Sequence, residues 1–118
     1  MSKLLQMVVQ LPLTGRSRTE RLAHGRLEEA LSEGFESHAY GEFDGSDTCE
    51  GKDNLYAYEI SPEQWDAAVA FVVSELELRG LASDAVIARG TQPSDQEDAE
   101  FEHEVVWPEG FTGSFSTY

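Results

Sequence analysis

The sequence predicts an α+β fold, a ferredoxin-like βαββαβ sandwich with an additional C-terminal strand. Three observations predict it. Two segments carry apolar residues at helical spacing, each opened by a capping sequence. The segments around them are short and either aliphatic or alternating, as strands are. Their order, strand–helix–strand–strand–helix–strand, is that of the split-βαβ motif, and a last alternating segment adds a strand.

The first strand is read at residues 4–11, closed by Pro12, with Leu5, Met7, Val9 and Leu11 on one face. Lys3 and the apolar run imitate a signal peptide. Gln6 and Gln10 interrupt the run, however, and no small-residue cleavage site precedes Thr14, Gly15 and Arg16. Ser17 and Glu20 have capping-box spacing, and the helix they open carries Ala23, Leu27, Ala30 and Leu31 on one stripe, with Gly34 as its expected stop.

Residues 35–43 read as the second strand, with Phe35, Ala39 and Phe43 on one face and Glu36, His38, Tyr40 and Glu42 on the other. Turn formers from Asp44 to Asn54 predict a long connection, and a third strand returns at 55–60 to complete a hairpin. Ser61, Pro62, Glu63 and Gln64 supply an N-cap, a first-position proline, an acid near the positive helix end and a capping-box glutamine. Trp65, Ala68, Val69, Val72, Val73 and Leu76 form the stripe of that helix, and Arg79-Gly80 ends it. A fourth strand is read at 84–89. A polar acidic segment follows, and then a fifth strand at 100–107, where Phe101, His103, Val105 and Trp107 alternate with Glu100, Glu102 and Glu104. Residues 1–108 are read as one domain and 109–118 as a tail.

The 118 residues suit a single domain, and 40% apolar with 10% aromatic content exceeds what a disordered acidic chain holds. The single Cys49 cannot form an internal disulfide, which fits a reducing compartment, and a cytoplasmic location is expected. No run approaches the roughly 20 apolar residues of a membrane span.

Charge is distributed unevenly. Residues 1–33 carry five bases against four acids, a net of +1, whereas residues 34–118 carry three bases against 19 acids, a net of −16. Such a surface repels phosphate and anionic lipid and attracts basic proteins, within a screening length of about 8 Å. Nucleic-acid and membrane partners are therefore disfavoured. A basic protein partner is the expected ligand, with Glu42, Asp44, Asp47, Glu50, Asp95, Glu97 and Asp98 facing it. The sheet face away from the helices should present Gln6, Val8, Gln10, His38, Tyr40, Glu42, Tyr56 and Tyr58, and tyrosine favours protein interfaces over the basic setting RNA needs. From Asp95 to Glu104 six acids stand without a base, a docking strip or a solvated edge that discourages aggregation.

Chemistry-bearing motifs are sparse. Asp44, Ser46, Thr48 and Glu50 echo a calcium loop, but Cys49 stands where that loop needs glycine and Leu55 where it needs glutamate. His24, His38 and His103 lack ligand spacing, and three acids around Cys49 disfavour its thiolate. No phosphate-binding glycine motif and no nucleophile elbow occurs. No catalytic residue, metal ligand or cofactor is assigned. A second reading is a small metal-dependent or acid–base enzyme using His38, Tyr40, Glu42 and Asp44 in a row along one strand face. A third is a structural or dimeric scaffold with salt-adapted acidity, since Lys3 and Lys52 are the only lysines.

Tyr40-Gly-Glu-Phe-Asp-Gly45, then Gly51, then Asn54-Leu-Tyr-Ala-Tyr58, a helix and Ile87-Ala-Arg-Gly90 together resemble small acidic bacterial proteins. In those proteins a G-x-[VF]-D-G turn precedes a glycine, an aromatic strand and a helix, and some act as immunity proteins of toxin systems. The resemblance implies turn-forming roles for Gly41, Asp44 and Gly45 and carries no catalytic residues. The net charge of −16 after residue 33 and the missing catalytic motifs lead to the expectation of an inhibitor or immunity protein that masks a basic partner surface.

Overall fold

A computed structural model describes residues 4–13, 18–49, 51–92, 101–111, 113 and 115. In chain order the elements are β1 (Leu5–Pro12), α1 (Arg18–His38), β2 (Glu42–Cys49), β3 (Lys52–Ile60), α2 (Pro62–Leu78), a 3-10 turn (Ala82–Asp84), β4 (Val86–Thr91) and β5 (Glu102–Trp107). The strands form one antiparallel sheet in the order β2-β3-β1-β4-β5. This five-stranded α+β architecture is compatible with a ferredoxin-like fold.

Both helices pack on one face of the sheet. Met7, Val9 and Leu11 of β1, Leu55, Ala57 and Ile60 of β3 and Ile87 of β4 meet Leu27, Leu31 and Phe35 of α1 and Trp65, Ala68, Val72 and Leu76 of α2. Each large aliphatic or aromatic side chain buried in this layer contributes about 1.5–3 kcal/mol. Arg89 of β4 lies 6.0 Å from the Trp65 ring centroid and pairs with Glu104 of β5 at 2.9 Å, tying the far edge to the core.

Helix α1 runs past its expected stop at Gly34. A Cβ on Gly34 would lie 2.1 Å from Cζ of Phe71, so this glycine seats the ring of α2 instead of ending α1. The residues expected to open a strand continue the helix, because Phe35 falls four residues beyond Leu31 on the buried stripe. The end comes at Ala39, in the left-handed region at φ 54. There the Tyr40 N–H donates to the Phe35 carbonyl, the Ala39 N–H donates to the Glu36 carbonyl, and the Tyr40 ring meets the Phe35 ring edge-on at 5.7 Å. This is a Schellman closure with its usual hydrophobic contact. Helix α2 closes the same way, with Gly80 at φ 70 and the Leu81 N–H on the Leu76 carbonyl. Ser61 occupies the N-cap of α2 in an extended conformation, but its side chain makes no capping bond; Pro62 and the Gln64 N–H on the Ser61 carbonyl shape that turn instead. The cap expected at Ser17 lies outside the described residues.

The second strand lies later than expected. The stretch read as a long connection forms two paired strands, with Cys49 opposite Lys52 and Gly51 at φ 77 in the turn between them. Gly45 (φ 113) sits at a bulge in β2, a strand position and not the turn that the resemblance implies. On the sheet face away from the helices, Gln6, Val8 and Gln10 are buried, so the centre of that face is closed. Of the expected tail, Phe115 reaches back to His103, with ring centroids 5.6 Å apart.

Candidate functional site

Strand β2 is the sheet edge, and the pairing register shows which way its residues point, since directly opposed residues share a face. Glu42 opposes Tyr58, Gly45 opposes Tyr56 and Asp47 opposes Asn54, all on the face away from the helices. Ser46 opposes Leu55 and Thr48 opposes Asp53, on the helix face. Asp44 lies in the bulge between the two sets.

On the far face a polar ladder crosses from the sheet centre to the edge. Gln10 Nε2 donates to Asn54 Oδ1 at 2.9 Å, and Asn54 Nδ2 donates to Asp47 Oδ1 at 3.4 Å. The Tyr56 hydroxyl lies 3.4 Å from both Asp47 carboxylate oxygens. Gln10 and Asn54 are buried while Asp47 is exposed, so the ladder fixes a carboxylate at the surface from within. Partial burial, reinforced by the Asp47 charge, pushes the Tyr56 phenol up to about 12. Tyr56 is therefore a neutral donor at any physiological pH. It stacks on Tyr58 at 6.4 Å, and Tyr58 meets Phe101 at 6.0 Å, so three half-buried rings form a shelf with Asp47 at one end and Glu42 opposite Tyr58.

The helix side of the same hairpin is also acidic. Glu28, Glu29, Ser32 and Asp44 line an open trough of about 530 Å³ between α1 and β2. Beside it, Leu13, Arg21, His24, Gly25, Glu28, Ser46, Thr48, Asp53 and Leu55 line a cavity of about 520 Å³. Within it the His24 Nδ1–H donates to Asp53 Oδ2 at 2.7 Å, the Thr48 hydroxyl donates to Asp53 Oδ1 at 2.6 Å, and the Ser46 hydroxyl donates to Glu28 Oε2 at 3.0 Å.

Of the residues expected to face a partner, Glu42 and Asp47 lie beside the tyrosines, and Asp44 lies on the trough. Glu50, Asp95, Glu97 and Asp98 lie outside the described residues. The row expected from His38, Tyr40, Glu42 and Asp44 does not form, because His38 ends α1 and Tyr40 follows its closure. Those two rings stack on each other at 5.0 Å and pack against Phe71. The calcium-like segment is strand where it is described, and the Ser46 and Thr48 hydroxyls are donated to Glu28 and Asp53. Among the described residues no group of three or more His, Cys, Asp or Glu is arranged to hold a metal ion, and no helix is long and apolar enough to cross a membrane.

Sequence reasoning missed His24, Asp53 and Glu28. One signal was present: His24 stands three residues before Leu27, on the stripe that continues to Leu31 and Phe35, so it had to be buried and had to find a partner. Comparison of the chain with known proteins finds no matching family model, no matching curated protein and no matching solved structure.

Proposed function

We propose that this protein works by binding a basic protein partner on the far face of the β2–β3 hairpin. The observation that carries the reading is the shelf itself: Tyr56 and Tyr58 stacked between Glu42 and an Asp47 carboxylate fixed by a buried ladder. Aromatic side chains flanked by carboxylates accept arginine twice over, through the ring face and through charge-assisted hydrogen bonds. The same strand is a sheet edge whose acids discourage pairing with another copy of itself and tolerate a basic segment. The field of the whole chain, −15 at neutral pH, steers such a partner toward it.

In its finer form, the protein is a cytoplasmic inhibitor of ferredoxin-like fold that covers a basic functional surface on its partner, as an immunity protein does. The test is the affinity of an arginine-rich peptide for the protein and for Tyr56→Ala and Glu42→Gln/Asp47→Asn variants, against a control neutralised on α2 (Glu63→Gln/Glu77→Gln). Loss of about tenfold or more in the shelf variants and little change in the control supports the reading. Equal losses in both would reduce the interaction to net charge and overturn it.

A further inference from the structure

We infer that the cavity between α1 and the hairpin is a second, separate binding site, built for a guanidinium group. It lies on the helix face of β3, whereas the tyrosine shelf lies on the other, so the two sites stand or fall independently.

The starting point is a pair the fold does not need. His24 is 6% exposed on the apolar stripe of α1, where a leucine would pack without a partner. A buried, hydrogen-bonded His–Asp pair is seldom more stabilising than apolar residues of the same volume. Here the pair lines an open chamber of about 520 Å³ instead of being sealed in the core. His24 also lines a smaller cavity of about 190 Å³ on its other side, with Leu81 and Ser83.

The lining matches a planar cation on an aliphatic stem. Asp53 and Glu28 each accept one hydroxyl from β2, from Thr48 and Ser46 respectively, which fixes both carboxylates and leaves acceptor capacity on each. The two supporting hydroxyls stand two residues apart on one strand, about 7 Å along it, so the carboxylates they hold flank one opening. Leu13 and Leu55 supply apolar wall for a methylene chain. Glu28 and Asp53 against Arg21 leave the lining one negative charge in excess, which a single guanidinium neutralises. Its five donors in a rigid fork can serve two carboxylates at once, which a compact ammonium does less well.

The guanidinium could be that of a free small molecule or of an arginine side chain on another protein, and the experiment separates them. The isotope-labelled full chain is titrated with agmatine, with a short capped peptide holding one arginine, and with its lysine counterpart. Backbone amide shifts are followed at Ser46, Thr48, Asp53 and Gly25. Saturable shifts there with both arginine-type probes identify a site open to small molecules; shifts with the peptide alone identify a side-chain site. Both outcomes support the inference. Glu28→Gln should weaken the response about tenfold while leaving the thermal midpoint nearly unchanged, and Tyr56→Ala should leave the response intact. No saturable shift with either probe, or a lysine peptide that binds as well as the arginine peptide, overturns it.

Discussion

The His24 imidazole and the Asp53 carboxylate meet at 2.7 Å across 29 residues of sequence, joining the first turns of α1 to the start of β3. Their side chains are only 7% and 17% exposed, so each screens the other from the cost of burial. Asp53→Ala strips the acceptor from both His24 and Thr48 and should destabilise the protein by about 1–3 kcal/mol in urea unfolding. His24→Leu should cost less than Asp53→Ala, because leucine fits the apolar stripe. The double variant should be more stable than the sum of the single costs implies, by about 0.5–3 kcal/mol. Strict additivity would mean that the bond contributes nothing.

Gly34 is the seat of the Phe71 ring. Gly34→Val places side-chain atoms where Cζ of Phe71 already lies, 2.1 Å from the first added carbon. The expected loss is about 1–3 kcal/mol. A Phe71→Ala background removes the clash, so the same substitution there should cost much less. An unchanged thermal midpoint in the Gly34→Val single variant would show that the helices separate freely at this point.

The Tyr56 phenol should titrate near 12, well above its ordinary 10.0. The sign follows directly. Between pH 10 and 12 the folded protein holds a proton that the unfolded chain releases, so stability is retained below pH 10 and falls as pH rises through this window. Asp47→Asn removes the nearby charge and should lower the value, yet leave it above 10 because partial burial remains the larger cause. Phenolate absorbance in the wild type, Asp47→Asn and Tyr56→Phe proteins measures this.

Gly90 makes room for a hydrogen bond across the sheet. The His103 Nε2–H donates to Gln6 Oε1 at 2.7 Å, and a Cβ on Gly90 would lie 2.3 Å from that same oxygen. Partial burial lowers the His103 pKa from its ordinary 6.5. The unfolded chain therefore takes up this proton first as pH falls. The ring's contribution to stability is in place above pH 6.5 and is lost as pH drops through 6.5 toward the folded value. Gly90→Ala should displace Gln6, and loss of that carbonyl acceptor should move the imidazole titration, read by ring proton shifts, further below 6.5.

Much of the fold was legible because the signals were local. The β1 stripe of Met7, Val9 and Leu11, the Pro62 opening of α2 and its Gly80 stop all lie within a few residues of the groups that enforce them. The hairpin was not legible. Its strands are held by polar cross-strand partners such as Thr48 with Asp53 and Asp47 with Asn54, and in sequence these are turn formers. The overrun of α1 was hidden for a different reason. Gly34 reads as a stop until Phe71, 37 positions away, is placed above it. The charge pattern pointed to Glu42 and Asp47 but could not say that they would flank a tyrosine shelf, because that depends on the register between β2 and β3. His24 and Asp53 escaped notice because only the approach of α1 to the hairpin brings them together.

A map of backbone amide shifts on titration with an arginine-rich peptide at moderate salt tests the proposed function most directly. The account predicts saturable changes at Glu42, Gly45, Asp47, Asn54, Tyr56 and Tyr58, beside those of the separate cavity at Ser46, Thr48, Asp53 and Gly25, fading as salt rises. Changes spread evenly over the exposed acids of α1 and α2, with the hairpin face unmoved, would contradict it.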